Sequence, residues 1–148
     1  MDALLRAFKY SGKLEVAQIA ANALSPMLAA HPAPDLTIPM PLHPARLQER
    51  GFNQSVEIAR LLTPAFSLNA VERILHKEPQ ASLPFKDRAK NVKGVFAATQ
   101  DLSGTTVLIV DDIMTSGSSL NELAKTLKKA GAVRVECCVV ARTLPHYV

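Results

Sequence analysis

Apolar runs typical of buried strands alternate with helical patterns along this chain, which predicts an α/β fold with a mostly parallel sheet flanked by helices. The stretch from Val107 to Val110 is an unbroken aliphatic run, as in a strand that is buried on both faces of a parallel sheet. The apolar positions after it recur at i, i+3, i+4 and i+7, which predicts a helix. These positions are Leu120, Leu123, Ala124, Leu127 and Ala130. Residues 133–141 predict a further strand and complete a strand–helix–strand unit.

The remaining elements are predicted from shorter patterns and from helix stop signals. We expect Pro26 to end or bend the second of the predicted helices, because proline lacks the N–H that an interior helical position donates. The further helices are predicted at residues 2–10, 14–30 and 53–62, and the further strands at 36–40, 71–75 and 94–98.

Length and composition indicate a single domain over residues 1–148. The chain is 48% hydrophobic, and it has no apolar run of the roughly 20 residues that a membrane span requires. It also lacks a signal-peptide pattern, so we expect a soluble, cytoplasmic protein. The net charge of +4 suits an anionic small molecule or weak nucleic-acid contact, whereas the absence of Trp argues against a stacking platform for single strands.

The two cysteines, Cys137 and Cys138, are neighbours within a predicted strand. Adjacent strand residues direct their side chains to opposite faces of the sheet. We therefore expect neither a structural disulfide nor a cysteine-based zinc site.

Two acids and a hydroxyl-rich loop follow the central strand and form the main candidate site. Asp111 and Asp112 lie where the strand is expected to leave the sheet, and open α/β sheets bind ligands beyond the carboxyl ends of their strands. The loop supplies hydroxyl donors and flexible backbone at the start of a helix, which suits a phosphate group. Its residues are Thr115, Ser116, Gly117, Ser118 and Ser119.

Magnitudes show that a helix dipole alone is too weak to hold a phosphate. The dipole contributes about 0.3 to 1 kcal/mol, whereas micromolar binding requires about 8 kcal/mol. Three or four hydrogen bonds to a charged oxygen, at roughly 1.5 to 3 kcal/mol each, supply the difference. Because two acids would repel a phosphate, we expect them instead to accept hydrogen bonds from the two hydroxyls of a cis-diol. The acids and the phosphate loop together predict a site for a ribose 5-phosphate.

Alternative interpretations of this stretch are weaker. A nucleotide hydrolase would have a Gly-rich loop that ends in Gly-Lys-Ser/Thr upstream, and the sequence contains none. A receiver domain would have its acidic pair after its first strand, whereas this pair comes much later. Ser119 and Glu122 also have the spacing of an ordinary capping box at a helix start.

The stretch from Pro41 to Gln54 is the second candidate region, at the carboxyl end of the strand predicted at 36–40. Arg46 and Arg50 are four residues apart, so a helical turn would place both guanidinium groups on one side. Arginine binds phosphate oxygens through two parallel hydrogen bonds. The alternative is that these arginines form surface ion pairs with nearby acids, namely Glu49 or Glu57. Spacing alone does not separate the two.

Residues 76–94 show no helical or strand period, and polar loops of this length are commonly lids or disordered segments. Five cationic residues between 77 and 93 favour a mobile lid over about 77–94 that closes on an anion. A solvated surface loop is the alternative. Lys86, Arg88 and Lys90 are candidates to neutralise a leaving group.

These motifs resemble a known family. The aliphatic run, Asp111-Asp112 and Thr115-Ser116-Gly117 are similar to the 5-phosphoribosyl-1-pyrophosphate (PRPP) signature of type I phosphoribosyltransferases. Two further segments resemble the competence protein F (ComF) branch of that family. The first segment contains Pro41-Leu42-His43-Pro44, Arg46 and Arg50-Gly51-Phe52-Asn53-Gln54. The second contains Gln80, Leu83, Arg88, Asn91-Val92 and Phe96.

The resemblance implies a type I phosphoribosyltransferase fold with a flexible lid loop, and transfer of 5-phosphoribosyl from PRPP to a nitrogenous base or amine. Asp111, Asp112 and Arg88 would be catalytic, and Mg2+ would be bound mainly through PRPP. The loop at 115–119 would bind the 5-phosphate, with the pyrophosphate bound by Pro41, Leu42, Arg46 and Arg50.

The resemblance also implies biology and assembly. The ComF branch is associated with natural transformation, so competence or DNA-uptake proteins are expected partners, and a PRPP sensor or scaffold without catalysis is the alternative function. A homodimer is one candidate assembly. Family members usually begin with a cysteine-rich zinc-binding segment, which would lie before residue 1, so we expect a truncated or alternative form or a start site assigned too late.

Overall fold

The computed structural model describes residues 14–63, 65–75 and 92–143. The helix predicted at 2–10 lies outside this part of the chain. The helices are α1 (Leu14–Ala29), α2 (Pro44–Arg50), α3 (Gln54–Leu62) and α4 (Ser118–Lys129). The strands are β1 (Leu36–Pro39), β2 (Val71–Arg73), β3 (Phe96–Ala98), β4 (Thr106–Met114) and β5 (Arg134–Arg142). The elements predicted from periodicity are therefore present within the described residues, with β2 and β3 shorter than predicted.

A parallel sheet with the strand order β1-β4-β5 forms the centre of the fold, as predicted. The strand β4 lies in the middle of the sheet. Its residue Ile109 pairs with Ile38 of β1 on one side and with Cys137 of β5 on the other. The strands β2 and β3 form a separate antiparallel pair, which we call the β2–β3 pair. Because parallel strands share one direction, the loops that follow β1 and β4 meet at one edge of the sheet.

One face of the sheet is covered by α4 and the β2–β3 pair. Val107 and Ile109 of β4 are completely buried on this face. The amphipathic stripe of α4 packs against them through Leu120, Leu123 and Leu127. Full burial of a leucine side chain contributes about 1.5 to 3 kcal/mol, so these three residues hold α4 and the loop before it on the sheet.

The opposite face is covered by α1 and α3. The alternate residues of β4, Leu108 and Val110, pack there with Ile58 of α3 and Ala17 of α1. Successive side chains of β4 therefore pack alternately into two separate hydrophobic cores, one on each face of the sheet. Burial on both faces explains why the sequence of this strand is a continuous apolar run.

The helix α1 continues beyond Pro26 to Ala29, so of the two predicted effects of this proline the end of the helix is wrong, and the bend stays a prediction. Pro26 lies on the exposed side of α1, where water can solvate the carbonyl that receives no hydrogen bond from it. Among the described residues, no helix is both long and apolar enough to cross a membrane.

The two cysteines of β5 are free thiols on opposite sides of the strand, as predicted. Cys137 is exposed and Cys138 is buried against the α1 and α3 face. Burial raises the pKa of both thiols, and the charge of Asp111 contributes at Cys137.

Candidate functional site

The candidate site begins where β1 leaves the sheet. The pairing of β1 with β4 ends at Pro39 and Val110, followed by a last hydrogen bond of 2.8 Å from the Met40 N–H to the Val110 carbonyl. Beyond Val110, β4 continues to Met114 beside β5 alone. The chain after β1 leads to α3 on one face and the chain after β4 leads to α4 on the other. Ligands of open α/β sheets bind at such a switch point.

The central strand is longer than predicted. The sequence predicted its end at Val110, whereas β4 runs on to Met114 and includes both acids. The reason is β5, which continues to pair with β4 through Asp111 opposite Val139 and Ile113 opposite Ala141. The acids therefore lie on a strand that is supported on one side only.

Asp111 is held by two hydrogen bonds to the same carboxylate oxygen. The Ser55 hydroxyl donates to Asp111 Oδ1 across 2.9 Å, and the Asp112 N–H donates to that oxygen across 2.9 Å. Ser55 is only 4% exposed and lies in the first turn of α3. Since Oδ1 takes both bonds, the orientation of the carboxyl group is fixed.

Asp111 also has an unusual proton affinity for an aspartate. Burial, followed by the neighbouring charge of Asp112, raises the pKa of Asp111 to about 7. The hydrogen bonds from Ser55 and from the Asp112 backbone act in the opposite direction. Asp111 therefore changes its charge near neutral pH, which is frequent in functional sites.

Asp112 is oriented by a local backbone bond. The Ile113 N–H donates to Asp112 Oδ1 across 2.8 Å. Both acids are partly exposed. The acidic pair thus lies at the rim of the sheet and not in either core, as the sugar-binding hypothesis requires.

The predicted phosphate loop forms a tight turn between β4 and α4. Gly117 has φ of 72° and ψ of 0°, a left-handed conformation that glycine adopts without steric cost. The Ser116 and Ser118 hydroxyls lie 2.8 Å apart, and the Ser118 N–H donates to Ser116 Oγ across 3.3 Å. Gly117 is the N-cap of α4, and no side chain caps the helix there.

Asp111 and this loop come together in one small recess of about 40 Å3, which Asp112 does not line. Its lining residues are Asp111, Ile113, Met114, Thr115, Gly117, Ser118, Ser119 and Leu120. The capping-box interpretation of Ser119 and Glu122 is wrong, because the N-cap of α4 is Gly117, two residues before Ser119. Glu122 Oε1 instead accepts a hydrogen bond of 2.7 Å from the Gly94 N–H, which ties α4 to the chain that leads into β3.

The loop after β1 forms a second, larger cavity of about 410 Å3. Pro41 and Leu42 line it together with Asn53 of the α3 N-terminus and Arg73 of β2. Asn53 lies two residues from Ser55, which contacts Asp111. The start of α3 therefore lies between the two cavities.

Arg46 and Arg50 lie on the short helix α2, which His43 caps and Pro44 begins. They are the half-buried residues of a helix whose other residues are exposed, so the expectation that they share one side is confirmed. Arg46 pairs with Glu49 across 3.4 Å, the surface ion pair that the sequence left as an alternative. This pair does not prevent anion binding, since Glu49 is 66% exposed and an exposed pair is worth about 0 to 1 kcal/mol.

The sequence patterns did not single out Ser55, and they identified Asn53 only as the start of a predicted helix and as part of a family pattern. Asn53 accepts a hydrogen bond of 3.0 Å from the Ser55 N–H and donates one of 3.0 Å to the Met40 carbonyl. It thereby caps α3 and joins that helix to the end of β1. Asparagine is a preferred N-cap, so the cap was predictable in principle, whereas the Ser55–Asp111 contact between residues 56 positions apart was not.

The predicted lid, including Arg88, lies mostly in residues 76–91, outside the described part of the chain. Its proposed role stays a prediction. Among the residues that the structure describes, no group of three or more His, Cys, Asp or Glu side chains is arranged to hold a metal ion.

Comparisons with known proteins agree with this architecture. Residues 47–146 match the phosphoribosyl transferase domain family. The purine phosphoribosyltransferase of Pyrococcus horikoshii shares the fold with a TM-score of 0.54 and 20% identity, over 87% of this chain and 77% of that chain. A hypoxanthine phosphoribosyltransferase of Staphylococcus aureus gives a TM-score of 0.55 with 12% identity, over 90% and 75%.

Two curated relatives indicate to which branch of this family the chain belongs. Competence protein F of Haemophilus influenzae is 35% identical over 74% of this chain and 51% of its own length. DNA utilization protein YhgH of Escherichia coli (strain K12) is 30% identical over 97% of this chain and 68% of its own length. The chain thus spans about half the length of the first protein and about two thirds of the second.

The parallel sheet, the acids at its rim and the turn before α4 define a type I phosphoribosyltransferase fold. The chain belongs to the phosphoribosyl transferase domain family, and its relatives assign it to the competence protein F branch. The fold and family that the sequence motifs predicted are confirmed.

Proposed function

We propose that this protein binds PRPP and transfers its 5-phosphoribosyl group to a nitrogen acceptor, with release of pyrophosphate. The C1–O bond to pyrophosphate breaks with its electron pair going to the leaving group, and a nitrogen lone pair forms the new C1–N bond. The acceptor then loses a proton. The observation that carries this proposal is that Asp111, fixed by Ser55, shares one recess with the Ser/Gly turn at the sheet edge.

The acids suit the sugar. Each carboxylate accepts a backbone N–H through its Oδ1, and the second oxygen of each is proposed to accept a hydrogen bond from a ribose hydroxyl. Two neighbouring hydroxyls of a cis-diol match two neighbouring carboxylates. A pKa near 7 for Asp111 makes this acceptor strongest above neutral pH.

The turn suits the 5-phosphate. Hydroxyls of Ser116 and Ser118 lie within one turn of the α4 N-terminus, where backbone N–H groups and the helix dipole favour an anion. The remaining loop residues proposed for this contact are Thr115, Gly117 and Ser119. Charge-assisted hydrogen bonds of this kind are the stronger class in proteins.

The pyrophosphate is assigned to the loop after β1. Pro41 and Leu42 line the 410 Å3 cavity together with Pro44 and Leu47 of α2. The half-buried Arg46 and Arg50 of the same helix are proposed to reach the pyrophosphate there. Arg88 is proposed to approach from the lid. Catalysis would come from positioning and charge neutralisation, because the oxocarbenium-like ribose needs no covalent partner from the protein.

Mg2+ fits this donor set through the substrate. A hard cation of this size prefers oxygen ligands and keeps several waters, so PRPP oxygens would supply most of its ligands. Asp111 and Asp112 are the carboxylates nearest the proposed sugar, and they would contact the water ligands of the Mg2+ ion. When bound, the ion adds positive charge against the departing pyrophosphate.

A second candidate is a PRPP-dependent sensor or scaffold that does not turn over. What favours it is that the two sequence relatives described above are named for competence and DNA utilization. Competence or DNA-uptake proteins would then be its partners. A homodimer stays an expectation for either function.

The deciding experiment is pyrophosphate release from PRPP and Mg2+ across a panel of nucleobases and amines. Turnover with any acceptor that Asp112→Asn abolishes supports the transferase. Asp101→Asn is the matched control, because Asp101 is an exposed acid in the turn before β4, at the opposite edge of the sheet. Thermal stabilisation by PRPP without pyrophosphate release favours the sensor. If PRPP gives neither turnover nor stabilisation, both functions are rejected.

A further inference from the structure

Arg73 is a cationic residue that the sequence analysis did not assign to the site. It is the last residue of β2, is half-buried, and lines the 410 Å3 cavity together with Pro41 and Leu42. It thus approaches the proposed pyrophosphate position from the β2–β3 pair, across the cavity from the loop after β1. Its position depends on the packing of that pair on the sheet.

The Arg73 guanidinium is oriented by an aromatic ring. Its central carbon lies 5.7 Å from the centroid of Phe96, the paired residue in β3, and Phe96 is only 6% exposed. Stacking of this kind uses the flat face of the guanidinium. The N–H groups at its edge keep their hydrogen-bonding capacity, in the planar arrangement that matches phosphate oxygens.

The charge of Arg73 is not balanced within the described part of the chain, where no carboxylate forms an ion pair or hydrogen bond with it. Burial and the nearby charge of Arg46 both lower the pKa of Arg73. Of the acids that line the same cavity, Glu57 pairs with Arg60 across 3.3 Å and Glu72 is exposed. Arg46 lies between Pro44 and Leu47 of α2, which line the same cavity as Arg73, so positive charge from two elements acts at this cavity.

Such an arrangement costs stability in the absence of a ligand and favours a polyanion that contacts both groups. Arg46 can contribute because its ion pair with the exposed Glu49 is weak and replaceable. A single phosphate satisfies one guanidinium well. A diphosphate has enough oxygens and charge for both.

We propose that Arg73 and Arg46 jointly bind the diphosphate of the phosphoribosyl donor, with Arg73 held in position by Phe96. This inference rests on the proposed function and adds a residue from the β2–β3 pair to its site. The role of Arg73 is ligand binding, and Phe96 is a positioning residue that acts through it.

The test is calorimetric titration of the whole chain with two probes, inorganic pyrophosphate with Mg2+ and ribose 5-phosphate. For Arg73→Gln we expect pyrophosphate affinity to fall about tenfold or more, since a charge-assisted hydrogen bond is lost. Ribose 5-phosphate affinity should change less than about twofold, since its proposed contacts lie at the α4 turn. Arg73→Lys should recover only part of the affinity, because an ammonium lacks the planar edge.

Arg134→Gln is the charge-matched control. It removes one arginine at the start of β5, at the opposite edge of the sheet, and should leave both affinities unchanged. The double variant Arg46→Gln/Arg73→Gln should lose less affinity than the two single losses multiplied together, because both residues contact one anion. Arg73→Gln removes both a repulsion and the contact with Phe96, so its melting temperature should change little.

The outcomes separate this inference from the proposed function. If the wild type binds both probes and Arg73→Gln, folded and equally stable, binds pyrophosphate as tightly, the inference is wrong and the proposed function stands. If the wild type binds neither probe, the proposed function itself fails. A lower melting temperature for Arg73→Gln with unchanged pyrophosphate affinity would make Arg73 a structural residue and would also overturn the inference.

Discussion

The Ser55 hydroxyl donates a hydrogen bond to Asp111 Oδ1 across 2.9 Å, between residues that are 56 positions apart in the sequence. This bond links the first turn of α3 to the strand that carries the acidic pair. It fixes one carboxylate oxygen at the switch point of the sheet and opposes the rise in the pKa of Asp111. Ligand affinity and proton affinity at this site should therefore both respond to changes at Ser55.

Replacement of Ser55 by alanine should weaken binding of ribose 5-phosphate about three- to tenfold, because Asp111 loses the donor that orients it. The free energy of unfolding should fall by about 1 kcal/mol. Ser25→Ala is the control, since the Ser25 hydroxyl makes a comparable bond of 2.8 Å to the Ala21 carbonyl in α1. Calorimetric titration measures the affinities, and equal values for both variants would contradict a role for Ser55 in the site.

The raised pKa of Asp111 predicts a pH dependence of stability. The pKa is about 7 in the folded protein, against about 3.9 in an unfolded chain, so the folded state binds more protons between these values. The free energy of unfolding should therefore fall as the pH rises from about 4 to about 7, by on the order of 2 to 4 kcal/mol. Urea unfolding at a series of pH values measures this slope.

Asp111→Asn should remove most of this slope and make the protein more stable than the wild type at pH 8. Asp101→Asn serves for comparison, because hydrogen bonds from Ser103 lower the pKa of Asp101 and keep it ionised above pH 5 in both states. That variant should shift the stability curve without changing its slope between pH 5 and 8. Parallel curves for the wild type and Asp111→Asn would show that Asp111 titrates normally.

The left-handed backbone at Gly117 predicts that Gly117→Ala impairs the phosphate loop. The substitution should cost about 1 kcal/mol of stability and weaken ribose 5-phosphate binding, since an alanine strains the turn that precedes α4. Gly104→Ala is matched to it, with φ of 78° in the turn before β4 and no atom within 4 Å of an added Cβ. It should show the same loss of stability with normal binding. Normal binding by Gly117→Ala would count against this turn as the phosphate site.

Asn53 combines two roles that substitution can separate. Asn53→Ala removes both the α3 cap and the hydrogen bond to the Met40 carbonyl, and should cost about 1 to 3 kcal/mol. Asn53→Ser keeps a capping oxygen but is too short to reach Met40, so its cost should be smaller by about 1 kcal/mol. Thermal or urea unfolding gives both values, and equal losses would mean that the cap adds nothing.

Local patterns in the sequence predicted most elements of this fold. The apolar run before Asp111 and the periodic leucines after it predicted β4 and α4. These predictions held because strand burial and helix amphipathicity depend on residues within a few positions of one another. Pro26 was predicted to end or bend α1, and it does not end the helix, because the exposure of a helix face is a tertiary property.

By itself, the sequence determined the α/β architecture, the family, and the position of two acids and a hydroxyl-rich turn at one sheet edge. Only the tertiary structure decided that β5 extends β4 past the acids, that Ser55 orients Asp111, and that Arg73 lines the same cavity as the loop after β1. Periodicity and spacing specify which face a side chain takes within its own element. Contacts between residues far apart in the chain, and the pKa values that they set, arise only when the elements pack together.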